Sequence, residues 1–392
     1  MAIRTVPLDQ VALKSLDAVS DWIGDTQKSL RRIPLAGVLE HGATFRDDEY
    51  LGDGDALFHF NQQGFQSFCQ RLGFRMDHLA RLETPALATQ VLNDLMAQRQ
   101  VRELLANDEC VVDERTGTII GLVSSTYLTY SNREFIEDVS GLLAELPEDD
   151  RLTFREAYGI NTELTLRFTS VKRHGTIRGR GGEGEDKSEL GLEFRNSMVG
   201  TSSVRINYFL HRLICANGLM IPAAEAVNRV FHSGRKDTFH ERLSRRVREV
   251  VRHIGHIQQL LETLGRLNFE PDALASTRAM TDAIFDVIPG SKQAISEKEN
   301  VFLRYPQDAS ATERERIRRL HDARMIGLIP EHFGGAVSHR MFASRFREKA
   351  SLFDFINVFT EHAKSLKPVQ KLDIEENAGT LANYIANHAR ML

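Results

Sequence analysis

Cysteine is scarce in this chain: three residues in 392, Cys69, Cys110 and Cys215, none at a Cys-x-x-Cys spacing. Isolated thiols exclude a disulfide framework and suit a reducing cytoplasm. A surplus of one charge is missing too. Fifty Lys and Arg stand against 54 Asp and Glu, a net charge of −4. That excludes a uniformly basic nucleic-acid binder but leaves room for a local basic face. No apolar run approaches a membrane span, and the opening MAIRTVPLDQ has no signal-peptide core. The expectation is a cytoplasmic protein with no membrane association.

Catalytic signatures are absent as well. There is no His-Glu-x-x-His, no Gly-x-Ser-x-Gly and no Gly-Lys-Ser/Thr phosphate loop. His253 and His256 share a helix face without a third ligand, and Cys215 sits among Leu213, Ile214 and Ala216 as an inert thiol would. No cofactor, metal or catalytic residue is expected from these patterns. A hydrolase or nuclease would need scattered residues such as Asp53, Asp55, His59 and Glu193 to be brought together.

What is present is a strand-rich centre between helical flanks. CVVDERTGTIIGLVS (110–124) reads as a hairpin. Ser131 caps a helix carrying Phe135, Ile136, Val139, Leu142 and Leu143 on one face. Strand patterns follow at 162–174, 190–200 and 201–210, where Val204, Ile206, Tyr208 and Leu210 alternate with Arg205 and Asn207, leaving these and His211 outward. Asn217-Gly218 suits either a hairpin turn or a helix C-cap. The fold class is α+β: a central antiparallel sheet with flanking helices and a mainly helical C-terminal region. Its expected divisions are an extension over 1–50, an α+β core over 51–269 and a helical region over 270–392.

Two basic features stand out. GTIRGRGGEGEDKSE is the most glycine-dense stretch, and it reads as a hairpin loop carrying Lys172, Arg173, Arg178 and Arg180 nearby. One long helix, HERLSRRVREVVRHIGHIQQLLETLGRL, sets an apolar stripe against Arg242, Arg245, Arg248 and Arg252. With Arg205 and Arg212 these form the candidate nucleic-acid-binding set, with Tyr127, Tyr130 and Tyr208 as candidate stacking residues. A second cluster, ERERIRRLHDAR (313–324), has acids interleaved.

GLEFRNSMVGTSSVRINYFLHRLICANGL resembles the signature of a phage- and plasmid-borne family catalogued as domain of unknown function 932. The matching positions are Gly191, Asn196, Ser197, Gly200, Arg212, Leu213, Cys215, Asn217 and Gly218. LVSSTYLTYSNREFIEDV, DFINVFTEHAK and IEENAGTLANYIANHA are similar to further segments of that family. The resemblance implies no established activity. Its phage and plasmid context points to replication, recombination or defence, and the strand-strand-strand-helix order is similar to the core of ring-forming annealing proteins of the RecT and Red-beta kind, an analogy of fold only.

The leading expectation is therefore a binder of single-stranded nucleic acid in recombination or replication, acting as a homo-oligomer. The alternative is a defence or counter-defence module that docks a host or phage protein without catalysis.

Overall fold

The computed structural model describes residues 5–36, 44–46, 50–53, 56–82, 84–178, 185–212, 218–223, 228–334 and 350–388. Two sheets organise them. The larger contains β1 (Gln10–Leu13), β8 (Leu152–Ile160), β9 (Glu163–Arg178), β10 (Glu185–Ser197), β11 (Val204–Arg212), β12 (Gly218–Ile221) and β13 (Arg229–Val230). These are antiparallel in the order β1-β8-β9-β10-β11-β12, with β13 also on β11. The smaller contains β2 (Leu30–Pro34), β6 (Asp108–Asp113), β7 (Thr118–Ser124), β5 (Ala56–Phe60), β4 (Tyr50–Asp53) and β3 (Thr44–Arg46), in that order. Among the described strands β5 and β7 alone pair parallel, and an isolated parallel bridge joins Val6 to Asn61.

The class is α+β with a central antiparallel sheet, flanking helices and a helical C-terminal region. The hairpin read at 110–124 is β6–β7. Residues 1–50, set apart in the sequence as an extension, supply β1 to the larger sheet and β2 to the smaller. In the smaller sheet the helix Gln62–Arg71 lies tight on β7, because a Cβ at Gly64 would stand 2.2 Å from the Ile119 carbonyl oxygen.

The larger sheet has two chemically different faces, as its alternation demands. Leu164, Leu166, Phe168, Leu190, Leu192, Phe194, Val204, Ile206 and Leu210 belong to the main hydrophobic core. The other face carries Glu156, Arg167, Glu193 and Asn207 side by side on four strands. Sequence alternation places Asn207 and His211 in solvent; both are buried. The C-terminal helix Pro368–Asn387 reaches this polar face and sets Glu375 and Glu376 against its arginines.

Arg167 is the centre of that layer and is fully buried. Its Nε and Nη2 donate to Glu193 Oε2 at 2.8 and 2.7 Å, Nη2 to Glu375 Oε2 at 2.6 Å, and Nη1 to Glu156 Oε1 at 3.2 Å. The Phe209 ring lies 4.5 Å from the guanidinium carbon. Two lysines join the cluster: Lys14 donates to Glu156 at 2.6 Å, and Lys371 lies 3.6 Å from Glu156 and 3.8 Å from Glu375. With Arg195 at 3.7 Å from Glu193, three carboxylates meet four cations. Burial pushes the Glu156 carboxyl up, but Arg167 and Lys371 outweigh it and hold it well below the usual range. For Glu375 burial prevails and its carboxyl is raised.

The helix Lys236–Arg252 and the helix Gly255–Arg266 replace the single long helix read from the sequence. The ladder tightens to three-residue steps at His253→Val250 and Ile254→Val251, just before Gly255, a poor helix former. The apolar stripe survives the break, with Val250, Val251, Ile254 and Ile257 all buried.

Removing one member of a buried ion cluster strands the others. Arg167→Met should lower stability by about 3–5 kcal/mol at pH 7, read from the urea midpoint. The stranded carboxyls would have raised folded pKa values, so their favourable contribution is present at low pH and lost as pH rises. The deficit should therefore shrink toward pH 5. An undiminished deficit there would place the damage in packing rather than charge.

Candidate functional site

The helices Asn132–Ala144 and Lys236–Arg252 lie side by side and enclose a groove of about 780 Å³. Each has a local reason to start where it does. Ser131 and Glu134 form a reciprocal capping box on the first helix, as the sequence suggests. Lys236 pairs with Glu134 across the two helices, and His240 Nε2 stands 3.2 Å from Asp138, whose other contact is the Tyr130 hydroxyl at 2.7 Å.

The groove has two signs. Glu137, Asp138 and Glu145 line one side, and the other carries Arg245, Arg248 and Arg252 together with Glu241 and Glu249. Leu142 and Leu243 supply apolar lining, and Gly141 adds no side chain. A Cβ at Gly141 would have nothing within 4 Å, so internal packing does not require a glycine there.

The ten basic residues singled out in the sequence have different fates. Lys172 pairs with Glu148 at 3.2 Å and Asp149 at 3.1 Å, Arg173 with Asp150, and Arg205 with Glu376 at 3.2 Å. Arg242 donates to the backbone oxygens of Thr238 and Ser233. Arg248 donates to Ser244 Oγ at 2.6 Å, while Arg245 and Arg252 make no hydrogen bond or ion pair among the described residues. Arg180 and the side chains of Arg178 and Arg212 lie outside the described residues. What the structure brings together is one exposed crest: Arg245, Arg248 and Arg252.

The proposed stacking tyrosines are corrected. Tyr130 and Tyr208 are core residues, and Tyr127 donates to the Ser197 carbonyl at 3.0 Å and bonds His232. Tyr130 packs on Phe135 and Phe239 while its hydroxyl donates to Asp138, so its ring is engaged within the fold. Glu193 is bound to Arg167, and Asp55 and the Asp53 side chain lie outside the described residues. Among the described residues no group of three or more His, Cys, Asp or Glu could hold a metal ion. Burial pushes the Cys69 and Cys110 thiols up to about 12, so both are unreactive; Cys215 lies outside the described residues.

The Asn-Ser-x-x-Gly stretch builds a joint below the groove. Asn196 Nδ2 donates to Asn132 Oδ1 at 2.8 Å and to the Tyr130 carbonyl at 3.3 Å, tying β10 to the start of the first groove helix. Gly200 adopts φ +73, which favours glycine, beside the Tyr127 ring. Gly218 leaves room where a Cβ would stand 3.2 Å from both Arg167 and Glu375. Asn217 lies outside the described residues, and Gly218 opens β12, paired antiparallel with His211 of β11. The Arg167 cluster itself escaped the sequence reading; its available trace was charge within otherwise apolar strand segments.

A family model described as Domain of unknown function (DUF932) matches residues 119–380. No curated protein and no solved structure matches the chain. The match covers more than half of the sequence, and the chain belongs to that family. No helix among the described residues is long and apolar enough to cross a membrane.

His232 is buried in this joint, and its Nε2 has no hydrogen-bond partner among the described residues. Desolvation lowers its pKa to about 4. A base with a depressed folded pKa contributes stability above its unfolded value of about 6.5, lost as pH falls through the folded pKa. Wild type should lose roughly 3 kcal/mol from this group between those two values. In His232→Phe the urea midpoint should fall less steeply over that window; an identical slope would assign it to other histidines.

Proposed function

We propose that this member of the family binds single-stranded nucleic acid along the solvent crest of the helix Lys236–Arg252. The observation that carries the reading is Arg245, Arg248 and Arg252, exposed, in one line and without acidic partners among the described residues. Their Cα positions rise by about 4.5 and 6 Å along the helix axis, so one extended backbone can follow them. Planar guanidiniums hold phosphate oxygens by paired hydrogen bonds. The acidic wall opposite keeps a polyanion on the crest and out of the groove. Contact of this kind is sequence-neutral, as recombination or replication intermediates require, and a homo-oligomer would multiply it along a strand. Buried, unreactive thiols suit action in the cytoplasm.

A second reading rests on the groove itself. Its two-signed walls, apolar lining and open Gly141 fit a helix of a host or phage protein, as a defence or counter-defence module would dock.

Binding of a labelled single strand should weaken with salt at a log-log slope on the order of −4 for roughly six contacted phosphates. Arg245→Glu with Arg248→Glu and Arg252→Glu should remove most of it, and full binding in that triple variant would sink the crest as the site. Recovery of one stoichiometric protein partner without nucleic acid, abolished by Gly141→Leu, would favour the second reading instead.

A further inference from the structure

The sequence cluster at 313–324 looks self-neutralised, yet its folded form is not. Within the helix Ala311–Phe333, Glu315 pairs with Arg318 at 2.7 Å, and Asp322 is claimed by Arg318 at 2.5 Å and Lys292 at 3.0 Å. Asp322 is buried, so this pairing turns inward. Arg316, Arg319 and Arg324 remain exposed without a hydrogen bond or ion pair among the described residues. Four-residue spacing puts Arg316, Leu320 and Arg324 in one row, and Leu320 is 59% exposed. Of the remaining acids, Glu313 stays in the first turn, where a helix favours negative charge.

Immediately before this helix runs an extended, solvent-facing segment, Phe302-Leu303-Arg304-Tyr305-Pro306. Phe302 is 50% exposed, Leu303 37% and Tyr305 42%. A turn from Pro306 to Ala309, whose carbonyl accepts from Arg314 Nε at 2.9 Å, ties the segment to the helix start. Two exposed aromatic rings thus stand three residues apart with Arg304 between them. Aromatic rings are what the arginine crest lacks, since Tyr127, Tyr130 and Tyr208 are engaged inside the fold.

We propose that Phe302 and Tyr305, with Arg304 between them and the arginine-bearing helix Ala311–Phe333 following in the chain, form a base-stacking platform for single-stranded nucleic acid. This rests on the nucleic-acid reading above and adds the part of the strand it does not address. Arginines hold phosphates whatever base is attached, whereas rings gain energy only from bases. A protein partner with an acidic, apolar surface is the competing occupant. Arg304 between the two rings favours the strand, because a base and its phosphate offer a partner to the ring and to the guanidinium.

The test compares a labelled thymidine oligomer with an abasic oligomer of equal length at low salt. Phe302→Ala with Tyr305→Ala should weaken the thymidine strand about 10- to 100-fold. It should leave the abasic strand and the salt slope unchanged. Arg316→Glu with Arg319→Glu and Arg324→Glu should weaken both strands and flatten the slope. Unchanged thymidine affinity in the aromatic double variant, or equal losses on both strands, overturns the platform while leaving the crest standing. Failure of the wild type to bind either strand overturns both. Matching urea midpoints for wild type and variants exclude misfolding, and loss of a protein partner with no change in strand binding assigns the patch to that partner.

Discussion

A fully buried guanidinium dictates much of this architecture. Arg167 lies beneath the C-terminal helix with Glu156, Glu193 and Glu375 around it, and each oxygen it engages comes from a different part of the chain. Ionised groups lose their water on burial, and only close mutual pairing offsets that loss. The requirement acts backward on the backbone. Gly191, whose Cβ would fall 1.9 Å from the Phe168 carbonyl oxygen, permits the close strand approach beside Glu193. Gly379, at 1.7 Å from the Met220 carbonyl by the same measure, lets the C-terminal helix settle onto β12. Arg195 and Arg205 extend the layer by sharing Glu376. The helix is therefore the sheet's fourth partner in charge as well as its cover.

The opposite face of the same sheet has the simpler task of excluding water. Its leucines, isoleucines and phenylalanines meet the basic helix and its continuation, so the helix that presents arginines to solvent is anchored by Phe239, Leu243, Val247 and Val250 beneath. The crest is consequently rigid, since its buried stripe cannot rotate without exposing the core. The Asn196–Asn132 bond holds the neighbouring helix at the same level, which defines the groove between them. Structure and site share supports here, because the joint that closes the core also places the charged rim.

The ionic inventory explains why ten similar residues serve different ends. Lys172, Arg173 and Arg205 each find carboxylates brought from distant sequence positions, and Arg242 satisfies backbone carbonyls. Exposed pairs of this sort contribute little to stability, but they remove the cation from any external ligand. Among the described residues Arg245 and Arg252 make no hydrogen bond or ion pair, and the same holds for Arg316, Arg319 and Arg324. There Asp322 turns inward to Arg318 and Lys292, while Glu315 pairs with Arg318 at the surface.

Much was determined locally. The hairpin at 110–124, the Ser131 cap, the alternation of Val204 to Leu210 and the apolar stripe from Leu243 to Leu264 follow from side-chain period and short-range hydrogen bonding, which a linear pattern records. The arginine line at 245, 248 and 252 was legible for the same reason: helical spacing alone aligns it. What only the tertiary structure decided is partnership. Whether Arg173 is free, whether Asn207 faces water, and whether an acid at 322 neutralises a ridge or a lysine depend on which elements fold over which. Charge pairing acts through space over a few ångströms, and the residues it joins here stand up to 215 positions apart.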